Sequence, residues 1–335
     1  MSPRRMVLHI GPHKTGSSAI QKTLTRNRPA LAEAGYAYPE VGFSAIGHHE
    51  MGTAVLKGPS PAHDEYVHAL NEIGADLVIS SENFANVSAA HLRAFFSRID
   101  AGEVRVVYYL RNYLPLLFSF WQEEVKHGRT RSFAEFCAVY AADPFSRHVF
   151  DPLRVLREYS SYFGRDSVTV YRYDEIMRDR KDVAQHFMTE ILGIQSFAKL
   201  DTELHNVRLS IAAAELIRRL NAAGLDGTRL LINDPEIRPL LMETTQRSSA
   251  FVGSVPLSYN QFLFGYMEKQ LVEQWADRIV GFDPSQPLFT ERVHVAEYLR
   301  NDIWTEMPSL NQAFLQYVQR KKASVQPVFG RASSR

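Results

Sequence analysis

Lys14 sits in a loop whose residue types suit the holding of an oxyanion. In Arg5-Met-Val-Leu-His-Ile-Gly-Pro-His-Lys-Thr-Gly-Ser-Ser18, the apolar run at 6–10 reads as a buried strand that breaks at Gly11. Gly16 allows a second tight turn, and Ser17 and Ser18 then open a helix whose unpaired N–H groups face an anion. The spacing Gly11-x4-Gly16 is that of a Walker A loop, but that motif places its lysine directly after the second glycine, where Ser17 stands here. A strand–helix turn of this composition also occurs without any ligand, so other polar residues must give the loop its chemistry. Arg111 ends a second apolar run at 104–110, and Ser119 follows about two helical turns later. A guanidinium offers a bidentate fork to a phosphate, and a hydroxyl adds a neutral donor. Glu82, just past the apolar run 76–80, would reach into the same cleft, although a solvated loop glutamate explains it equally well. His48 and His49, in Gly47-His-His-Glu-Met51, supply imidazoles that can take a proton near neutral pH. A metal reading of this triplet fails on spacing, because adjacent residues rarely converge on one ion and no HExxH pattern exists.

These residues need a scaffold that brings strand ends together. Strands are expected at 5–10, 76–81, 104–110 and 167–172, and helices at about 17–27, 64–73, 88–99, 113–127, 132–141, 151–163 and 181–192. Connections of that length between strands predict an α/β fold, a three-layer doubly wound parallel sheet. Ligands then bind outside the C-terminal strand ends, where Gly11, Glu82 and Arg111 all fall. His48 and His49 are expected in a long loop between the first helix and the second strand. After about residue 195 the chain reads as helical, at 210–223, 234–245, 258–280, 293–301 and 309–321, several with a cap or a closing glycine. The expected organisation is an α/β core at 1–205, a helical subdomain at 206–322 and a disordered tail at 323–335.

The order of motifs resembles the sulfotransferases, whose donor is 3′-phosphoadenosine 5′-phosphosulfate (PAPS). His9-Ile-Gly-Pro-His-Lys-Thr-Gly-Ser-Ser18 is similar to their 5′-phosphosulfate loop, particularly that of bacterial members, and Arg111-Asn-Tyr-Leu-Pro-Leu-Leu-Phe-Ser119 is similar to their 3′-phosphate motif. A third block, 150–193, resembles the family's strand, Tyr-Glu-x-Leu-like turn and helix ending in Leu-Gly-Ile; Asp174 stands where the glutamate is usual, and the block reads as packing. The likeness covers about residues 5–224. It implies a P-loop NTPase-like fold, PAPS as co-substrate without a metal, and donor contacts from Gly11, His13, Lys14, Thr15, Gly16, Ser17, Ser18, Arg111 and Ser119. Leu204-His-Asn-Val-Arg-Leu-Ser210 resembles a further family segment from which Arg208 would close over the donor, although a helix-capping loop with a solvated arginine explains it as well. Sulfuryl transfer would go to a hydroxyl or amine of a small molecule or glycan, with Lys14 stabilising the leaving group and Glu82, His49 or His48 as general base.

Composition narrows the setting. The 335 residues are 45% hydrophobic and 22% charged, ordinary for a globular protein, and 38 basic against 37 acidic residues give net +1. No overall field recruits nucleic acid or an anionic membrane. Cys137 is the single cysteine, so an intramolecular disulfide is excluded and a buried small side chain is expected. With no apolar signal core and no run long enough to span a bilayer, a cytoplasmic location is expected. The C-terminal helices suit either cover for an acceptor cleft or a homodimer interface. Two other functions fit parts of the sequence: a P-loop kinase of a small metabolite, which lacks its lysine here, and a non-catalytic protein that binds the nucleotide.

Overall fold

Strand β1 (Arg5–His9) is buried at every position from Met6 to His9, without the alternation of a sheet that faces water on one side. Such a strand must be covered on both faces. The computed structural model describes residues 3–143, 150–179, 182–199, 211–229, 235, 239, 252–256, 258–289, 295–299 and 308–325. After β1 come α1 (Ser17–Arg26), α2 (Arg28–Glu33), β2 (Tyr36–Ala37), α3 (His49–Lys57), α4 (Pro61–Asn71), β3 (Asp76–Ser80), α5 (Ala89–Phe96) and β4 (Glu103–Leu110). Then follow α6 (Tyr113–Lys126), α7 (Phe133–Ala142), α8 (Pro152–Phe163), β5 (Val168–Arg172), α9 (Tyr173–Arg178) and α10 (Val183–His186). The remainder holds α11 (Ile211–Ala222), β6 (Val252–Pro256), α12 (Ser258–Trp275), β7 (Val295–Leu299) and α13 (Pro308–Val325).

One compact unit comprises Met1–Tyr113, Asp143–Glu203 and Leu263–Arg292. It holds a five-stranded parallel sheet in the order β2-β3-β1-β4-β5, with Leu8 opposite Ile79 on one side and Val106 on the other. Successive residues of β4 feed opposite layers, as strand geometry requires. Val106 and Tyr108 join Leu92, Phe95, Leu156 and Tyr159 from α5 and α8, whereas Val107 and Tyr109 join Ile20, Leu24, Val183 and Ala184 from α1 and α10. Ile20 and Leu24 lie one turn apart on α1 and are fully buried, each worth roughly 1.5–3 kcal/mol relative to exposure. This is the three-layer doubly wound α/β architecture. Its strand order reverses at β1, which lies between β3 and β4; in folds of this kind ligands bind at such a switch point, here the C-terminal ends of β1 and β4.

The second unit comprises Leu114–Ala142, Leu204–Phe262 and Val293–Arg335. In it Trp121 packs on Phe118 and Phe133 and donates from its indole to Arg131 O at 2.8 Å. Asn221 donates from α11 to Val125 O at 2.8 Å. Cys137 is fully buried, and burial pushes its thiol up to about 12.

Several expectations are corrected. The helix expected at 293–301 is instead strand β7, paired antiparallel with β6, Val252 opposite Leu299 and Val255 opposite Ala296. Val295 and Tyr298 suit a strand, but the partner lies far upstream, outside any local window. Residues 28–57 carry α2, the short edge strand β2 and α3, so His49 opens a helix and does not lie in a long loop. The helix expected at 181–192 is the single turn of α10, capped by the Asp182 carboxylate on Ala184 N–H at 2.8 Å, followed by a π-helical turn at Phe187–Ile191. The helix expected at 234–245 lies almost wholly outside the described residues, as does 326–335. Among the described residues no helix is long and apolar enough to cross a membrane.

Candidate active site

The backbone of β1 runs on beside β4: Ile10 N–H donates to Val107 O at 3.2 Å, and Tyr109 N–H to Gly11 O at 3.1 Å. The chain then turns through Gly11 at φ 85° and Gly16 at φ 79°, with Lys14 between them at φ 67°. Left-handed backbone costs a residue with a side chain about 1–2 kcal/mol, strain that tends to persist at ligand sites. Gly16 is required twice over, since a Cβ there would meet Val183 Cγ1 at 2.4 Å. Thr15 and Ser17, both buried, donate their hydroxyls to Pro12 O at 2.7 and 3.2 Å, so the loop is braced from inside. Helix α1 begins with no side-chain cap, and Ser18 is exposed at its first turn. The uncapped N–H groups, the positive end of the helix and Lys14 together make a cradle for an anion.

Arg111, one residue past β4, donates through Nη1 to the Lys14 carbonyl oxygen. Its guanidinium lies over the Tyr173 ring at 5.2 Å and 3.9 Å from Asp174. Asp174 also accepts from Asn112 N–H at 2.6 Å, and burial pushes its carboxyl above the ordinary value against the pull of that bond and of Arg111. Tyr173 and Asp174 therefore do more than pack: they form the platform under Arg111. Their position directly after β5, the strand beside β4, was the available signal. Ser119 lies half-buried on α6 in the second unit, and Arg208 lies outside the described residues.

Glu82 opens a 3-10 turn (Glu82–Asn86) directly after β3, and three elements converge on it. Gln21 of α1 donates Nε2 to its Oε2 at 2.9 Å, His13 Nδ1 stands 3.7 Å from Oε1, and His49 Nδ1 stands 3.6 Å from Oε2. Burial pushes the carboxyl up, but the Gln21 hydrogen bond and the two imidazoles outweigh it, leaving Glu82 below the ordinary carboxylate value. Burial pushes His13 down, against the pull of Glu82. Asn83 holds the start of α3 in place, donating to His49 O at 3.2 Å and Thr53 Oγ1 at 3.0 Å.

His48 behaves differently from its neighbour. It is fully buried, sits edge-on to Tyr38 and Phe43, and accepts Ser80 N–H on Nδ1 at 3.2 Å. Burial pushes it down to about 3; of this adjacent pair it is His49 that stands beside Glu82, as His13 does from the loop. His9 lies beneath the loop with Nδ1 2.7 Å from Ser80 Oγ, pushed down to about 4 by burial. Sequence reasoning missed Gln21 and Ser80; the one signal for Gln21 was its place four residues after Ser17, on the same face of α1.

A cavity of about 440 Å³ is lined by Ser44, His49, Glu50, Thr53, Lys57 and Tyr66 among others, a volume within the range of small-molecule sites. His49 therefore faces both the cavity and Glu82.

No family model and no curated protein matches the chain. Among solved structures it is similar to a sulfotransferase from Alicyclobacillus acidocaldarius, at 18% identity and a TM-score of 0.40, over 69% of this chain and 96% of that one. The α/β fold itself stands on the strand order and the two helix layers described above.

Proposed function

We propose that this chain is a sulfotransferase, moving the sulfuryl group of PAPS to a hydroxyl or amine of a small molecule or carbohydrate. The observation that carries the reading is the Lys14 loop tied to Arg111. Two cationic side chains on adjoining strand ends, one beside an uncapped helix N-terminus, suit a donor with two separate anionic groups. A kinase of the P-loop type would have its lysine at position 17, which is Ser17.

In the reaction the acceptor atom bonds to sulfur as the bond from sulfur to the 5′-phosphate oxygen breaks, and adenosine 3′,5′-bisphosphate leaves. Charge grows on the departing phosphate oxygen, where Lys14 and the loop N–H groups stabilise it. Arg111 holds the 3′-phosphate, and Gly11, His13, Thr15, Gly16, Ser17 and Ser18 shape the loop around the phosphosulfate. The acceptor lies in the cavity beside His49, and its proton passes to the Glu82–His49 pair. No metal enters this scheme.

Thermal unfolding tests the reading. Adenosine 3′,5′-bisphosphate without metal should raise Tm, and at a hundred times its Kd it adds about 2.7 kcal/mol of stability; ATP with magnesium should add much less. A larger shift from ATP with magnesium would replace the sulfotransferase with the kinase. Binding of the bisphosphate with no transfer of label from radiolabelled PAPS to any component of a metabolite extract would leave a nucleotide-binding protein.

A further inference from the structure

We propose that Gln21 is a positioning residue: its amide fixes the Glu82 carboxylate between His13 and His49 and ties it to the helix that cradles the donor. The role of Glu82 as proton acceptor rests on the sulfotransferase reading; the contact does not. Gln21 is fully buried, one turn after Ser17, so the anion cradle and the amide share a single rigid element. Its Nε2 donates to Glu82 Oε2 at 2.9 Å and lies 3.3 Å from Ser80 Oγ. The amide has one workable orientation, because reversing it would set Oε1 against a carboxylate, acceptor against acceptor. Oε1 itself is buried without a partner. A methionine would fill the same space without that unsatisfied carbonyl, so what the amide adds is its N–H toward Glu82. The backbone holds the amide plane as well, since a Cβ on Gly47 would stand 2.8 Å from Gln21 Cδ.

The charged and titratable surroundings of Glu82 are few. His13 faces it from the loop and His49 from α3, while His9 from β1 and Tyr38 feel its charge at longer range. Gln21 is the neutral donor among them. Without it the carboxylate loses its side-chain hydrogen bond, keeps a backbone hydrogen bond and the longer contacts to two imidazoles, and is freer to turn away from the acceptor.

The test compares Gln21→Met with wild type in the full chain, and Gln21→Asn, whose shorter amide cannot reach Glu82. Glutamate labelled with ¹³C at the carboxyl, assigned through Glu82→Gln, reports the Glu82 titration directly. We expect the midpoint to rise by about one pH unit in both variants, as for loss of one hydrogen bond to a charged carboxylate. Turnover of PAPS should fall about tenfold, its acid limb moving up in pH, with the Kd of the bisphosphate unchanged. In a Glu82→Gln background Gln21→Met should cost almost nothing further, the sign of coupling within one network. An unmoved midpoint, or an equal loss of turnover in both backgrounds, overturns the proposal. Should Gln21→Met fail to fold, Gln21→Asn decides. Should the chain transfer no sulfuryl group at all, the carboxyl midpoint still decides the contact, and the assignment to Glu82 of a proton-accepting role falls by itself.

Discussion

The guanidinium of Arg111 donates to the carbonyl oxygen of Lys14, joining the two cationic residues of the cleft across the gap between β4 and β1. Lys14 holds φ 67°, a conformation that costs a lysine free energy and that this bond, with the neighbouring Gly11–Tyr109 pairing, helps to maintain. The positions of the two cationic side chains are thus linked through the backbone, not through solvent. Substitutions at either end should separate the chemical part of each residue from its structural part.

For Lys14 the two parts oppose one another. Lys14→Ala keeps the left-handed strain and removes the ammonium, so turnover should fall about 10²–10³-fold, the loss typical of one preorganised oxyanion donor. Lys14→Gly should be as inactive, yet up to about 1 kcal/mol more stable than Lys14→Ala, since glycine adopts positive φ without penalty. Chemical denaturation beside single-turnover kinetics resolves the two. Equal stabilities would mean that the left-handed turn at Lys14 is relaxed in solution.

Arg111→Ala should weaken donor binding by about 2–5 kcal/mol, the cost of removing one partner of a buried charge pair. Adenosine 5′-phosphosulfate, which has no 3′-phosphate, separates the contributions. With that donor the same variant should lose only about 0.5–1.5 kcal/mol, the share of the hydrogen bond to Lys14 O. A loss as large with this donor as with PAPS would remove Arg111 from the 3′-phosphate.

The strands β1, β3 and β4 were legible because each carries a run of apolar residues, the pattern that burial on both faces demands, and β5 because β-branched Val168, Thr169 and Val170 follow the helix that Gly164 closes. The strand β2 has two residues, too few for any periodicity. Helix α3 reads as loop in the sequence because it begins at His49, two residues after Gly47, and carries Gly52 on its buried side, a weak helical signal. Lys14, Glu82 and Arg111 could be placed at one end of the sheet because each follows a strand. Their supports could not. Gln21 meets Glu82 from 61 residues away, and Asp174 meets Asn112 from 62; a polar side chain shows its partner only once the sheet order has brought the two together.

Acid should destabilise the protein through its buried imidazoles. His48 and His9 are held down to about 3 and about 4 by burial, whereas in the unfolded chain they titrate near 6.5. As pH falls below about 6.5 the unfolded state therefore binds protons first, so stability is complete above that value and is lost below it, at up to about 1.4 kcal/mol per unit for each residue. His48→Asn retains an acceptor for Ser80 N–H and cannot titrate. Its loss of stability between pH 7.5 and 5, measured in urea, should be smaller than wild type by about 2 kcal/mol. Equal losses would show that His48 takes up its proton in the folded state.

The closest approach in the loop between β1 and α1 gives the last test. Gly16 precedes α1 at φ 79°, and a Cβ there would lie 2.4 Å from Val183 Cγ1 and 3.5 Å from Tyr173 Cε2. Gly16→Ala should therefore cost about 1–2 kcal/mol for the left-handed backbone and about 1–3 kcal/mol more for the clash with α10. Only the second part depends on Val183. Removing the two methyl groups with Val183→Ala should make Gly16→Ala cheaper by about 1–2 kcal/mol than it is in the wild type, a coupling of the size expected for residues in contact. The affinity for adenosine 3′,5′-bisphosphate should recover in the double variant less than stability does, because the left-handed strain still distorts the N–H groups that face the anion. Additive stabilities across the four proteins of this cycle would mean that α10 does not press on the loop, and the need for glycine would then rest on φ alone.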